Sequence, residues 1–178
     1  MAMTLLATNP DSTDIASYEI TSGIDSTYKL YIFKFYDVNV ATDGAYFTVD
    51  FSIDSGSNYN LGVTSIYFVA SHTEADDVAA VDKTTSLSQH GETDPQEISG
   101  SLDNLADTSG AGTLWLFNPS GTTYSKFFQS TVSSADNGGY QNNVYVDGKI
   151  QTASAINAVK FSTSSGNFDG VIKMYGVK

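Results

Sequence analysis

Residues 44–54 read GAYFTVDFSID, with Ala45, Phe47, Val49, Phe51 and Ile53 alternating strictly with Tyr46, Thr48, Asp50, Ser52 and Asp54. A period of two belongs to a β-strand with one buried and one wet face, so the apolar set is expected inside and Asp50 and Ser52 outside. Residues 28–40, YKLYIFKFYDVNV, carry apolar side chains at both parities, as a central strand covered on both faces would. Asp43-Gly44 lies between the two stretches and is a favoured hairpin pair, which predicts that 28–40 and 44–54 pair antiparallel.

Working outward, the same reading predicts strands near 15–21, 63–70, 112–118, 123–132, 143–147, 155–163 and 171–177. Asn137-Gly138-Gly139, Asp147-Gly148 and Asp169-Gly170 are the expected turns. Short strands with no amphipathic helix between them predict an all-β chain, an antiparallel β-sandwich of jelly-roll-like type. With 178 residues, 11 Tyr and 10 Phe, one domain with an aromatic core is expected. Residues 1–14 form an N-terminal arm in this reading and 15–178 a single domain.

The middle of the chain breaks the pattern. Between Val69 and Leu114 there is no Phe, Tyr or Trp, yet nine of the 20 acids and both histidines fall there. Residues 71–111 are therefore expected to make a long acidic surface excursion, with a short helix at 74–81 and a strand at 97–102.

Eight lysines, no arginine and 20 acids give a formal net charge of −12. Nucleic-acid binding needs clustered Lys and Arg, and no such cluster occurs, so no nucleic-acid partner is expected. The chain has no cysteine, hence neither disulfides nor thiolate metal sites. No apolar run approaches the ~20 residues that span a bilayer, and the N-terminus lacks the regions of a signal peptide, so a mature chain without a membrane partner is expected.

Residues 50–60, DFSIDSGSNYN, raise the question of chemistry. Asp54 and Asn58 offer hard oxygens around Gly56, which makes them calcium candidates. The spacing departs from an EF-hand loop, and the competing reading is an Asx-turn closing the strand, with no metal and no cofactor. His72 and Asp76-Asp77 could bind a metal or exchange a proton, but the preferred reading is a solvated acidic loop with Thr73 capping a helix. No G-x-S-x-G elbow is present, and a carboxylate pair would have to come from Asp37, Asp50 and Asp54 meeting across a sheet. No catalytic residue is assigned and a non-enzymatic protein is expected. Tyr31, Tyr46, Tyr59, Tyr124 and Tyr140 are candidates for stacking on a sugar or packing at an interface. In the arm, Met1, Met3, Leu5 and Leu6 precede a proline and could dock on a neighbour.

LFNPSGTTYSK at residues 116–126 and SSGNFDGVIKMYG at 164–176, with ITSGIDSTYKLYIFKFYDV and GAYFTVDFSIDSGSNY upstream, resemble short all-β structural proteins of marine tailed bacteriophages. The last stretch also resembles terminal β-sandwich domains of phage tail and fibre proteins. The resemblance implies a surface-exposed virion protein, with capsid decoration preferred because no coiled-coil or collagen-like stalk is present. It implies capsid or tail proteins as partners and a homo-oligomer, a trimer from the virion setting. A tail-associated module binding a receptor or a host surface glycan is the alternative.

Overall fold

The computed structural model describes residues 2–10, 12–136 and 138–178. Met1 of the arm and Asn137 of the expected turn lie outside the described residues. The fold is all-β and antiparallel, with two sheets facing each other across one core. The larger sheet contains β1 (Met3–Thr8), β3 (Leu30–Val40), β5 (Val63–Thr73), β6 (Ala79–Lys83), β7 (His90–Glu92), β9 (Gly110–Phe117), β10 (Lys126–Ala135), β11 (Tyr140–Ile150) and β13 (Phe168–Val177). Its order is β1-β13-β3-β9-β10-β11-β5-β6, with β7 beside the other end of β5. The smaller sheet is ordered β2 (Ser17–Ile20), β12 (Ala158–Thr163), β4 (Phe47–Ser52) and β8 (Gln96–Glu97).

Aromatic rings join the sheets. Phe161 of the smaller sheet lies 5.3 Å from Phe33 and 5.1 Å from Phe35 of the larger, ring centre to ring centre. Phe47 reaches Phe35 at 5.1 Å and Phe168 at 5.4 Å, and Phe51 reaches Phe128 at 5.2 Å. Edge-to-face and tilted contacts at these distances suit the ring quadrupole, so the core gains geometry-specific attraction beyond its buried area.

Several expectations are corrected. The two strands of the opening stretch do not pair: β3 lies between β13 and β9, while β4 lies between β12 and β8. The Asp43-Gly44 turn, with Gly44 at φ 78°, hands the chain from one sheet to the other. Both strands bury Phe at alternate positions, so placing them on opposite layers lets their rings meet, which a hairpin within one sheet would prevent. Asp50 and Ser52 are not a wet face, since every residue of β4 is buried, Asp50 with 5% exposure. Asp147-Gly148 is no turn either; it lies inside β11, where Gly148 faces Phe128 across the ladder and a Cβ would collide with that ring. Asp169-Gly170 is a bulge in β13, and Gly170 takes φ 144° there.

No helix forms at 74–81. Thr73 Oγ1 accepts from the backbone N–H groups of Asp77 (3.3 Å) and Val78 (3.1 Å), closing a tight turn between β5 and β6 instead. The strand expected at 97–102 shrinks to Gln96–Glu97, and the residues after it turn inward. Ile98 and Leu102 belong to the core, so the acidic segment is not purely a surface excursion. Backbone bonds from Ile98 to Phe47 (2.8 Å) and Leu102 to Ala45 (3.0 Å) stitch it to the start of β4.

The N-terminal residues 3–8 pair with β13 as the edge strand of the larger sheet. Asn9 fixes its end: its side chain donates to the Gly170 carbonyl at 2.9 Å and accepts from the Ile172 N–H at 2.8 Å. A buried amide satisfied on both sides holds the strand where terminal residues would otherwise fray.

Candidate functional site

The turn after β4 is closed by its own side chains. Asp54 Oδ1 accepts from Ser52 Oγ at 2.6 Å and from the Asn58 N–H at 2.9 Å, while Oδ2 accepts from the Asn58 side-chain amide at 2.7 Å. These donors hold the Asp54 carboxyl down at about 2, Asn58 contributing most and Ser52 next. The arrangement is an Asx-turn in which Asn58 gives hydrogens to the carboxylate rather than an oxygen to a shared ion. Thermal melting is expected to give the same midpoint in calcium and in chelator. A calcium-dependent rise would assign a structural ion to Asp54 and Asn58.

Asp50 faces Lys160 at 3.7 Å on the outer side of the smaller sheet, and the Lys160 ammonium lies 4.2 Å over the Tyr59 ring. Burial pushes the Asp50 carboxyl up to about 6, although the Phe51 N–H and Lys160 pull the other way. The folded value exceeds the ordinary carboxylate value of 3.8, so the folded state binds the proton more tightly. The stabilising effect of protonation is complete below pH 3.8 and is lost as pH rises through about 6. Asp50→Asn, which keeps an acceptor for Phe51 and carries no charge, is therefore expected to exceed wild type by about 2 kcal/mol at pH 8 and to match it at pH 3.5. Urea unfolding at the two pH values checks this, and an unchanged difference would show that Lys160 fully compensates the burial.

The other polar candidates stay apart. Asp37 sits at the bulge of β3 in a recess shared with Asp107 and Asp169, Asp50 lies on the smaller sheet, and Asp54 closes its turn. No carboxylate pair forms among these three. His72 contacts Asp76 at 3.1 Å in an exposed position. His90 pairs with Thr64 near the opposite end of β5, about 25 Å away at the usual rise of a strand. Among the described residues no group of three or more His, Cys, Asp or Glu is placed to hold a metal.

Of the tyrosines, Tyr31 is buried and bonds to Asp25, Tyr59 covers Lys160, and Tyr140 stands at the start of β11. Tyr46 donates its N–H to Ser164, and Tyr124, 77% exposed, projects from the loop before β10. They lie on different elements and form no common platform. Met3 and Leu5 are exposed on β1, while Leu6 packs against the core.

The strongest surface feature is one that no single stretch of the sequence carries. Across the outer face of the larger sheet, register aligns Leu5, Tyr175, Ile32, Trp115, Gln129, Asp147 and Ile66 in one row. Phe117 and Phe127 stand opposite each other in the next row, with Lys149 beside them. On the other flank the row runs Lys173, Lys34, Thr113, Thr131, Tyr145, Phe68 and Lys83. Directly opposed residues share a face, so these aromatics form one surface. Phe127 is 51% exposed, and Ile66, Phe68 and Phe117 are exposed as well. Phe68 stacks on Tyr145 at 5.0 Å, and with Trp115 and Phe117 the pair walls a cleft of about 560 Å³ floored by Gln129, Thr131 and Asp147.

Seven strands about 4.8 Å apart span about 34 Å and three rows about 7 Å apart span about 14 Å, so this face covers roughly 470 Å², polar positions included. The face is mixed: its exposed aromatics are interspersed with Gln129, Asp147, Thr113, Thr131 and lysines at the ends of the rows. The sequence signal for it is Trp115, Phe117, Phe127 and Tyr145 at the wet parity of strands whose other parity is already apolar.

No family model matches the chain, and no curated protein matches it. A solved structure of an aerolysin-like protein from Bombina maxima aligns over 91% of this chain and 91% of that chain, at 13% identity and a TM-score of 0.16. At that TM-score the likeness carries no argument about fold or function.

Proposed function

We propose that this chain is a non-enzymatic structural protein exposed on the virion of a tailed bacteriophage, with capsid decoration as its role, acting through protein–protein contact. The observation that carries the contact reading is the aromatic outer face of the larger sheet. Its roughly 470 Å², polar positions included, is over half of the ~800 Å² that each partner contributes to a standard interface. Tyr, Trp and Phe are the side chains enriched at such contacts. The aromatic core joining the two sheets supplies a rigid support. The phage setting rests on the LFNPSGTTYSK and SSGNFDGVIKMYG resemblances. Partners are capsid or tail proteins and further copies of the chain, a trimer being the oligomer proposed, and neither nucleic acid nor a membrane is proposed.

The test is binding of the purified protein to emptied capsids. Saturable, stoichiometric binding without attachment to host cells supports decoration. Attachment to cells or to a glycan array, with no capsid binding, would move the protein to the receptor-binding alternative.

A further inference from the structure

We propose that the cleft in the outer face of the larger sheet is a saccharide site, and that its ligand is a neutral β-linked oligosaccharide of gluco configuration. The proposal goes beyond the contact reading above, which gives the chain no ligand. Trp115 and Phe117 stand on β9, Tyr145 on β11 and Phe68 on β5, so aromatic walls rise on either side of β10. The strands that carry the nearer rings, β9 and β11, are two spacings or about 9.6 Å apart. Between them β10 lines the cleft with Gln129 and Thr131 and not with a ring, and Asp147 lies opposite Gln129 on β11.

A pyranose whose hydroxyls are all equatorial is apolar on both faces and polar around its edge. Its axial C–H bonds carry partial positive charge and suit the negative face of an aromatic ring. Phe68 and Tyr145 stack at 5.0 Å with 14° between their planes, which makes a flat plate and not a cage closed around a point charge. Such a plate matches the face of a sugar ring. The edge hydroxyls then need polar partners, and the floor holds them. Gln129 Nε2 donates to Asp147 Oδ2 at 3.5 Å, a long bond between two exposed side chains. A sugar hydroxyl that donates to the carboxylate and accepts from the amide replaces it with two shorter ones. Among the described residues Asp147 is the one charged side chain lining the cleft, and the lysines of the face stand outside it. A carboxylate there, on a chain of net charge −12, disfavours uronic and sialic acids and selects a neutral sugar. The volume of about 560 Å³ falls within the ~300–1,000 Å³ of small-ligand clefts, which are walled by aromatic side chains with a few polar groups to fix orientation. The cleft lies in the face that a capsid neighbour would cover, so one copy holds either the saccharide or the neighbour.

Titration of the full chain with cellotetraose and with chitotetraose tests the proposal, followed by calorimetry and by the emission of Trp115, the single tryptophan. Saturable binding of about millimolar strength and a shift of that emission are expected, while tetragalacturonate, the acidic control, is expected not to bind. Trp115→Ala and Asp147→Asn are each expected to weaken binding by about tenfold in the calorimeter. Phe127→Ala, which removes an exposed ring of the same face outside the cleft, is expected to leave binding unchanged. Far-UV circular dichroism confirms that each variant is folded, and Gln129→Ala replaces a cleft variant that is not. The proposal is overturned if neither neutral probe binds at millimolar concentration, or if tetragalacturonate or choline binds as tightly as they do. It is also overturned if Phe127→Ala weakens binding as much as Trp115→Ala, the mark of unspecific apolar adsorption. Capsid binding without saccharide binding would remove this inference and leave the decoration reading intact. Saccharide binding without capsid binding would do the reverse.

Discussion

Phe161→Ala is expected to destabilise the fold by about 4 kcal/mol, the largest loss from a single truncation in this chain. Phe161 has no exposed surface and touches Phe33, Phe35 and Phe47, so its ring is shared by the two sheets. Removing it takes away the transfer free energy of a phenyl group. It also leaves a cavity that two hydrogen-bonded sheets cannot collapse to fill. Thermal unfolding is expected to shift down by about 10 °C for a domain of this size. A shift of only one or two degrees would mean that the aromatic cluster does not hold the layers together.

Ile98→Ala is expected to cost about 3 kcal/mol, although Ile98 lies in the acidic stretch that reads as surface. It is 0% exposed and its N–H donates to Phe47. Next to it, Ser99 Oγ accepts from the Phe47 N–H at 2.8 Å, and the Ser99 carbonyl accepts from the Tyr67 hydroxyl at 2.7 Å. Truncation therefore opens a void beside hydrogen bonds that join the segment to both sheets. Denaturant titration should show a lower midpoint with an unchanged slope. A cost under about 0.5 kcal/mol, typical of surface substitutions, would return residues 96–102 to the surface.

The class of fold was legible in the sequence because alternation reports burial directly. Phe47, Val49 and Phe51 are in the core as their parity requires, and β3 lies mid-sheet between β13 and β9, although its second parity, with Ile32, Lys34 and Tyr36, is on the outer face and not under another layer. Pairing was less legible, since alternation states which face is buried but not which neighbour lies alongside. Asp43-Gly44 supports a hairpin and an inter-sheet crossing equally well, and the need for Phe35 and Phe47 to meet across the core decides it. Burial of Asp50 and Ser52 was hidden for a related reason. A polar side chain reads as wet unless the partner that covers it is known, and Lys160 is 110 residues further along the chain.

The acidic segment misled through composition. Its acids are largely exposed, as expected, but two of its apolar residues, Ile98 and Leu102, enter the core, while Val81 and Leu105 stay exposed. The aromatic outer face is not legible in the sequence because its residues come from separate strands. Trp115, Phe117, Phe127, Tyr145 and Phe68 become one surface only once β9, β10, β11 and β5 are laid side by side in register. Asp54 and Asn58 lie in one turn, as the Ser- and Gly-rich run between them implies, while the direction of their hydrogen bonds is not written in the sequence.

The most direct test of the proposed role is an imaged virion resolved well enough to trace a 178-residue β-sandwich. On this reading the chain is expected on the outside of the capsid in many symmetry-related copies, with the face bearing Trp115 and Phe127 buried against a neighbour. Absence of the chain from the particle, or that face lying open to solvent on every copy, would contradict it.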